Sequence, residues 1–264
     1  MLFRSTGYTN FYMYGSGAGT PLAVAVGIQG TNEIKTGNNV LSANNWSHIA
    51  FTYDGTTTKI YVNGVQQASG TTGVYSNNSA ALQIATGLST QPVFGYMSNV
   101  RLVKGTVLYT TSFVPPVIPL TAISNTALLT LQNPVAHNNS TMIDASANRN
   151  LMTRNGNSTN GTFSPYGDNW STYIGTTAMG WQTPASSHTA ITGYGYFQAS
   201  MTMSIEAWIY PLSRHSGGGA SLAYVVGDMT LAGGTLYWGF GPDSNGKLTL
   251  AWYTGSVEIG RAHV

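Results

Sequence analysis

Large side chains alternate with small or polar ones in short runs along this chain, and clusters of Gly, Asn, Asp and Pro separate the runs. In Ile49-Ala50-Phe51-Thr52-Tyr53 the odd positions carry the large residues, which places Ile49, Phe51 and Tyr53 on one face of a strand. Asp54-Gly55 follows, then the run 59–62, then Asn63-Gly64. Asn, Asp and Gly tolerate positive φ and favour tight reversals, so this stretch predicts a three-stranded meander with Ile60 and Val62 over the same core. The same pattern predicts strands at 82–85, 100–103, 128–131, 201–210, 222–226, 236–240 and 248–253. No stretch carries the period of a long amphipathic helix. The expectation is an all-β protein.

Punctuation sets the expected organisation. Pro115, Pro116 and Pro119 remove ladder donors and favour extended backbone, so the segment around them is read as leaving one unit and entering another. From 133 to 160 the chain is rich in Asn, Ser and Thr, which predicts an exposed connection with short strand pieces.

Composition narrows the classes. Charged residues make up 7% of the 264 residues, yet 42% are apolar and 11% aromatic, enough to offset chain entropy and fold. Ten Lys and Arg against eight Asp and Glu give a net charge of +2, and the basic residues are scattered singly, which argues against a nucleic-acid partner. The absence of Cys removes disulfides and thiolate metal sites. No window reaches the ~18 apolar residues of a membrane-spanning helix.

Two motifs point to a family. Trp46-Ser47-His48-Ile49-Ala50-Phe51-Thr52-Tyr53-Asp54-Gly55, followed by Lys59-Ile60-Tyr61-Val62-Asn63-Gly64, resembles the signature of laminin-G-like, concanavalin A-like lectin/glucanase jelly rolls. The stretch 94–102 with 105–109 and Phe113 resembles the closing strand and exit arm of such domains. Ser204-Ile205-Glu206-Ala207-Trp208-Ile209-Tyr210-Pro211 resembles their early strand, yet here it follows the late motif. The resemblance therefore implies a concanavalin-like β-sandwich present as two partial copies or as one circularly permuted sandwich. Residues 1–116 would be the C-terminal part of a first domain, 117–122 a Pro-rich linker and 123–257 the N-terminal part of a second. A weak internal match supports a tandem repeat: 11–14 and 22–25 resemble 236–239 and 248–251. The last seven residues, 258–264, resemble the translation of a sequencing-adapter oligonucleotide and are left out of the fold reasoning.

Within the family signature Trp46, His48, Tyr53, Asp54, Gly55, Asn63, Gly64, Glu206 and Trp208 are expected to be structural. Glycan-cleaving relatives use carboxylates at E-x-D-x-x-E spacing, which this chain lacks, so no catalysis is expected. His188 and His215 have no companion at metal-ligand spacing, so no zinc site is expected. The resemblance implies calcium at the sandwich rim as the one metal to consider, with Asp144, Asp168 and Asn169 as candidate ligands. Eight acidic residues in all weigh against a charged cage.

Aromatic faces stack on sugar C–H patches while amides and hydroxyls bind their rims, and Tyr166, Trp170, Trp181 and Tyr194 lie in loop-rich sequence as candidate ligand-binding residues. The phrasing of 164–171 and of Arg101-Leu102-Val103-Lys104-Gly105 resembles repeats in phage structural proteins. That implies a virion-surface or extracellular protein binding a glycan or host receptor, or neighbouring copies of its own repeat.

Overall fold

A computed structural model describes residues 10–14, 25–28, 32–71, 82–85, 95–132, 143–152, 159–161, 163–166, 171–174, 202–211, 222–230, 235–240 and 249–252. Every regular element among them is a strand. In chain order these are β1 (Asn10–Tyr14), β2 (Ala25–Ile28), β3 (Asn32–Lys35), β4 (Ser47–Tyr53), β5 (Thr57–Val62), β6 (Val65–Thr71), β7 (Leu82–Ile84) and β8 (Gly95–Lys104). There follow β9 (Thr126–Thr130), β10 (Thr159–Gly161), β11 (Ser171–Ile174), β12 (Met203–Pro211), β13 (Leu222–Thr230), β14 (Thr235–Phe240) and β15 (Thr249–Trp252).

The strands form a concanavalin-like β-sandwich of two sheets. One has six strands in the order β1-β13-β14-β15-β2-β3, antiparallel except where β15 meets β2. The other has eight, β10-β11-β8-β12-β4-β5-β6, with β9 pairing beside β11 on the same edge of β8. Both sheets therefore draw strands from before and after the Pro-rich segment. The motif that comes late in the chain, β12, sits between β4 and β8 and pairs with each along nearly its whole length.

The meander forms as its turns dictate. Val62 pairs Val65 across Asn63 and Gly64, whose φ values of 50° and 77° are the two positive angles of a type I′ turn. Asp54 caps the preceding reversal, its Oδ1 accepting the N–H groups of Thr56 and Thr57 at 2.9 and 2.7 Å, with Gly55 at φ 98°. The Asn63 side chain then reaches back to the β4 backbone, Oδ1 accepting His48 N–H at 2.9 Å. The signature residues thus specify turns and register.

Alternation gives the central strands two different faces. Ile49, Phe51 and Tyr53 of β4, Ile60 and Val62 of β5 and Met203, Ile205, Ala207 and Ile209 of β12 share one face and are all buried. Each large side chain there contributes ~1.5–3 kcal/mol relative to an exposed one. The opposite face carries His48, Ala50 and Thr52 with Ser204 and Glu206, and these are buried as well. What covers them is the chain itself. From Gly105 to Ile123 the backbone has no ladder and runs across this face as an arm.

The arm is fastened at short intervals. Gly105 N–H donates to Thr202 O (2.6 Å), Leu108 N–H to Ser204 Oγ (3.1 Å) and Phe113 N–H to Gly64 O (2.8 Å). Thr52 Oγ1 and Tyr61 OH both donate to Tyr109 O at 3.1 Å, and Lys59 Nζ to Thr110 O at 2.7 Å. The Tyr109 and Phe113 rings stack at 3.6 Å and 5°. The prolines thus lie in a strap that needs no ladder donors.

Gly64 is where the strap comes closest. A Cβ there would lie 1.8 Å from the Phe113 carbonyl oxygen, at a φ that L side chains rarely adopt. Gly64→Ala is expected to destabilise the fold by about 2 kcal/mol or more, read from urea unfolding, while the same change at open Gly37 alters the unfolding free energy by no more than about 1 kcal/mol.

Candidate functional site

The outer face of the eight-stranded sheet holds one carboxylate at its centre. Glu206 of β12 pairs in register with Ala50 of β4 and Arg101 of β8, and its side chain is 1% exposed. Oε1 accepts from Arg101 Nε at 2.6 Å and also from the Arg101 Nη2 group, a two-pronged pair. Oε2 accepts from Tyr109 OH at 2.7 Å and lies 3.1 Å from His48 Nε2. Arg101 Nη1 continues to the Thr121 carbonyl of the arm at 2.9 Å. Three strands and the strap converge on one ion.

A bulge makes the convergence possible. Between the pairs Glu206↔Arg101 and Trp208↔Ser98, β8 contains one residue more than β12, and Asn99 takes a φ of 55°. The extra residue brings Ser98 and Arg101 onto the same face, which simple alternation would forbid. Asn99 Oδ1 then accepts Leu120 N–H at 2.8 Å and ties the far end of the arm.

Burial pushes the Glu206 carboxyl upward, but the His48 hydrogen bond and charge, the Arg101 charge and the Tyr109 hydroxyl outweigh it and hold it below its ordinary 4.5. Burial, then the Glu206 charge, pushes the Tyr109 hydroxyl far up. Glu206 is thus an anion in the folded state, with donors on both oxygens. A glycosidase needs two carboxyl groups roughly 5–9.5 Å apart on a bond that can enter between them. Glu206 lies under the arm instead, beside a cation, a histidine and a phenol.

The signature histidine sits in this network. His48 Nε2 faces the carboxylate, Nδ1 has no hydrogen-bond partner, and the ring lies edge-on to Phe113 (5.7 Å) and Trp208 (5.3 Å). Its role is structural packing plus one polar contact. Tyr53 OH donates to Gly55 O at 2.7 Å and closes the β4–β5 reversal.

A second carboxylate organises a loop. Asp144 is buried, and Oδ1 accepts Leu129 N–H (3.0 Å) and Ser146 N–H (2.9 Å). Oδ2 accepts Ser146 Oγ (2.8 Å), Asn150 N–H (2.9 Å) and Asn150 Nδ2 (2.6 Å). Asn148 and Asn150 side chains donate to Ala127 O as well, and Ser146 Oγ lies 3.3 Å from that oxygen. Five donors of the chain itself point at Asp144, the residue that the sequence offered as a calcium ligand, and organise the loop around it. Among the described residues no group of three or more His, Cys, Asp or Glu side chains could hold a metal ion. The other candidate ligands, Asp168 and Asn169, lie outside the described residues.

Of the aromatic candidates only Tyr166 is described. It is half-buried and edge-on to Trp208 at 5.6 Å, so it packs against the signature tryptophan. Trp170, Trp181 and Tyr194 fall outside the described residues. An aromatic group that the sequence did not single out forms nearby: Phe163 packs on Trp46 (5.5 Å), Tyr96 (4.9 Å) and Tyr210 (4.7 Å). Register gives the reason, since Tyr210 pairs Tyr96 across β12 and β8.

The first half of the signature and the strands β1 to β8 fall within one known group. Residues 1–108 match the concanavalin A-like lectin/glucanases superfamily. The superfamily match spans β1 to β8 and stops at the root of the arm, and β12 lies outside it. It supports a carbohydrate-binding type of module. Comparisons with curated proteins and with solved structures gave no match.

Removing one partner of a buried ion pair strands the other, so Glu206→Gln is expected to cost about 3–5 kcal/mol in urea unfolding at pH 7. Because the folded carboxyl sits below its ordinary value, its contribution is complete above about pH 4.5 and is lost as pH falls through the lower, folded value. The gap between wild type and Glu206→Gln should therefore narrow as the titration is carried into acid, and a constant gap would contradict the ionised clamp.

Proposed function

We propose that this protein is a non-catalytic carbohydrate- or receptor-binding module of a phage virion or tail, or of a bacterial surface protein. The observation that carries the choice of binding over cleavage is the state of Glu206. It is the carboxylate centred on the strap-covered sheet face, and it is buried, ion-paired and closed off by the arm. The superfamily match over residues 1–108 supports the carbohydrate class of partner. The charge-poor, hydroxyl- and amide-rich composition suits a ligand bound through neutral hydrogen bonds. The virion or surface setting rests on the resemblance of 101–105 and 164–171 to phage structural repeats.

A second reading has its own observation. Val114, Val117 and Ile118 are 84%, 81% and 67% exposed on the arm, an apolar row that suits contact with a neighbouring copy in an architectural repeat. The two readings are separated by one assay. The folded protein, printed against a glycan array with and without calcium, is expected to bind discrete glycans and to release no reducing sugar from them. Reducing-sugar release that Glu206→Gln abolishes would overturn the non-catalytic reading, and a blank array with concentration-dependent self-assembly would favour the architectural one.

A further inference from the structure

The Asp144 loop borders an open concavity of about 560 Å³ lined by residues of the segment 143–152. That lies within the ~300–1,000 Å³ of small-molecule sites. Its character is mixed. Ile143 and Leu151 are 51% and 76% exposed and, with Met152, contribute apolar wall. Asp144, Arg149 and Asn150 contribute the polar part.

Three features set this cavity apart from an ordinary surface dent. It is prebuilt: the Asp144 carboxylate collects five donors from Leu129, Ser146 and Asn150, so the wall is fixed before any ligand arrives. Arg149 is held at φ 47°, a left-handed conformation rare for a long side chain, within a turn closed by its own N–H on Ser146 O at 3.2 Å. Its side chain is exposed, and its guanidinium has no acidic partner among the described residues. Leu151 and Ile143, finally, put exposed aliphatic surface on this wall beside the polar groups.

We propose, resting on the carbohydrate-binding reading above, that this cavity is the saccharide pocket and that it takes an uncharged sugar unit. A sugar ring presents C–H patches and a rim of hydroxyls, which the aliphatic wall and the Arg149 donors match. The lining residues carry one anion and one cation, Asp144 and Arg149, so net charge selects neither acidic nor basic sugars. Arg149 acts as a hydrogen-bond donor to hydroxyls, with its five N–H groups.

The test uses the full chain on an array of hexose-, hexosamine- and deoxyhexose-terminated oligosaccharides beside uronic- and sialic-acid-terminated ones. The strongest neutral binder is then titrated by calorimetry against wild type, Leu151→Asp and Arg149→Asn. Both positions are exposed and Asn tolerates the left-handed backbone, so both variants should keep wild-type circular dichroism and urea midpoints. At least tenfold weaker binding in each variant, with Val65→Ser unchanged, is the expected result. Wild-type affinity in both variants would overturn the pocket while leaving the carbohydrate-binding module standing. Binding confined to acidic glycans would overturn the uncharged ligand. Silence of the folded protein across the whole array would remove the underlying reading and the pocket with it.

Discussion

A carboxylate withdrawn from water must find its charge and its lone pairs matched where it lies, and in this protein that demand falls on Glu206. The effective penalty of desolvating such an ion is several kcal/mol, so the fold is viable only when Arg101, His48 and Tyr109 arrive together. Those residues come from β8, β4 and the arm. The demand therefore fixes which strands flank β12, in which register, and where the arm must lie. A slip of one residue along β12 would turn Glu206 into the aliphatic layer and carry Ile205 and Ala207 out of it.

The chain uses its few acids in the same way twice. It contains eight Asp and Glu in all. Glu206 gathers three strands and the arm, and Asp144 gathers Leu129, Ser146 and Asn150 into a rigid loop beside β9. In both places the carboxylate faces donors of its own chain.

Much of the sandwich was legible because its determinants are local. The alternation at 49–53, the Asn63-Gly64 reversal and the β-branched runs each prescribe a strand or turn with little reference to the rest. The Asp54-Gly55 pair was likewise read as a turn, and it is one. The site was less legible because it depends on contacts across 97 to 158 residues of chain. Arg101 sat in plain view between Val100 and Leu102, but the bulge at Asn99 that turns it toward Glu206 has no strong sequence mark. One signal was available: in a chain with 7% charged residues, a lone acid in one apolar strand and a base set among the apolar residues of another call for each other. Asp144 was noticed for its acidity, whereas the Ser and Asn that follow at two-residue steps encode the loop. The arm was read from its prolines as a passage between units, and its pattern of backbone donors and acceptors to β4, β5 and β12 could not be seen without the register of those strands.

The place of β12 between β4 and β8 has a consequence for the birth of the molecule. Those two strands leave the ribosome well before their shared neighbour, which is encoded roughly a hundred codons later. At translation speeds of about 5–20 residues per second the nascent sheet keeps an open slot for roughly five to twenty seconds, lined by unpaired amides and by His48 and Arg101 still lacking their carboxylate partner. Any extended segment passing by, including the equivalent strand of another nascent copy, could enter that slot first. Cellular yield should thus be governed by how well chaperones guard one gap, more than by the final stability of the sandwich.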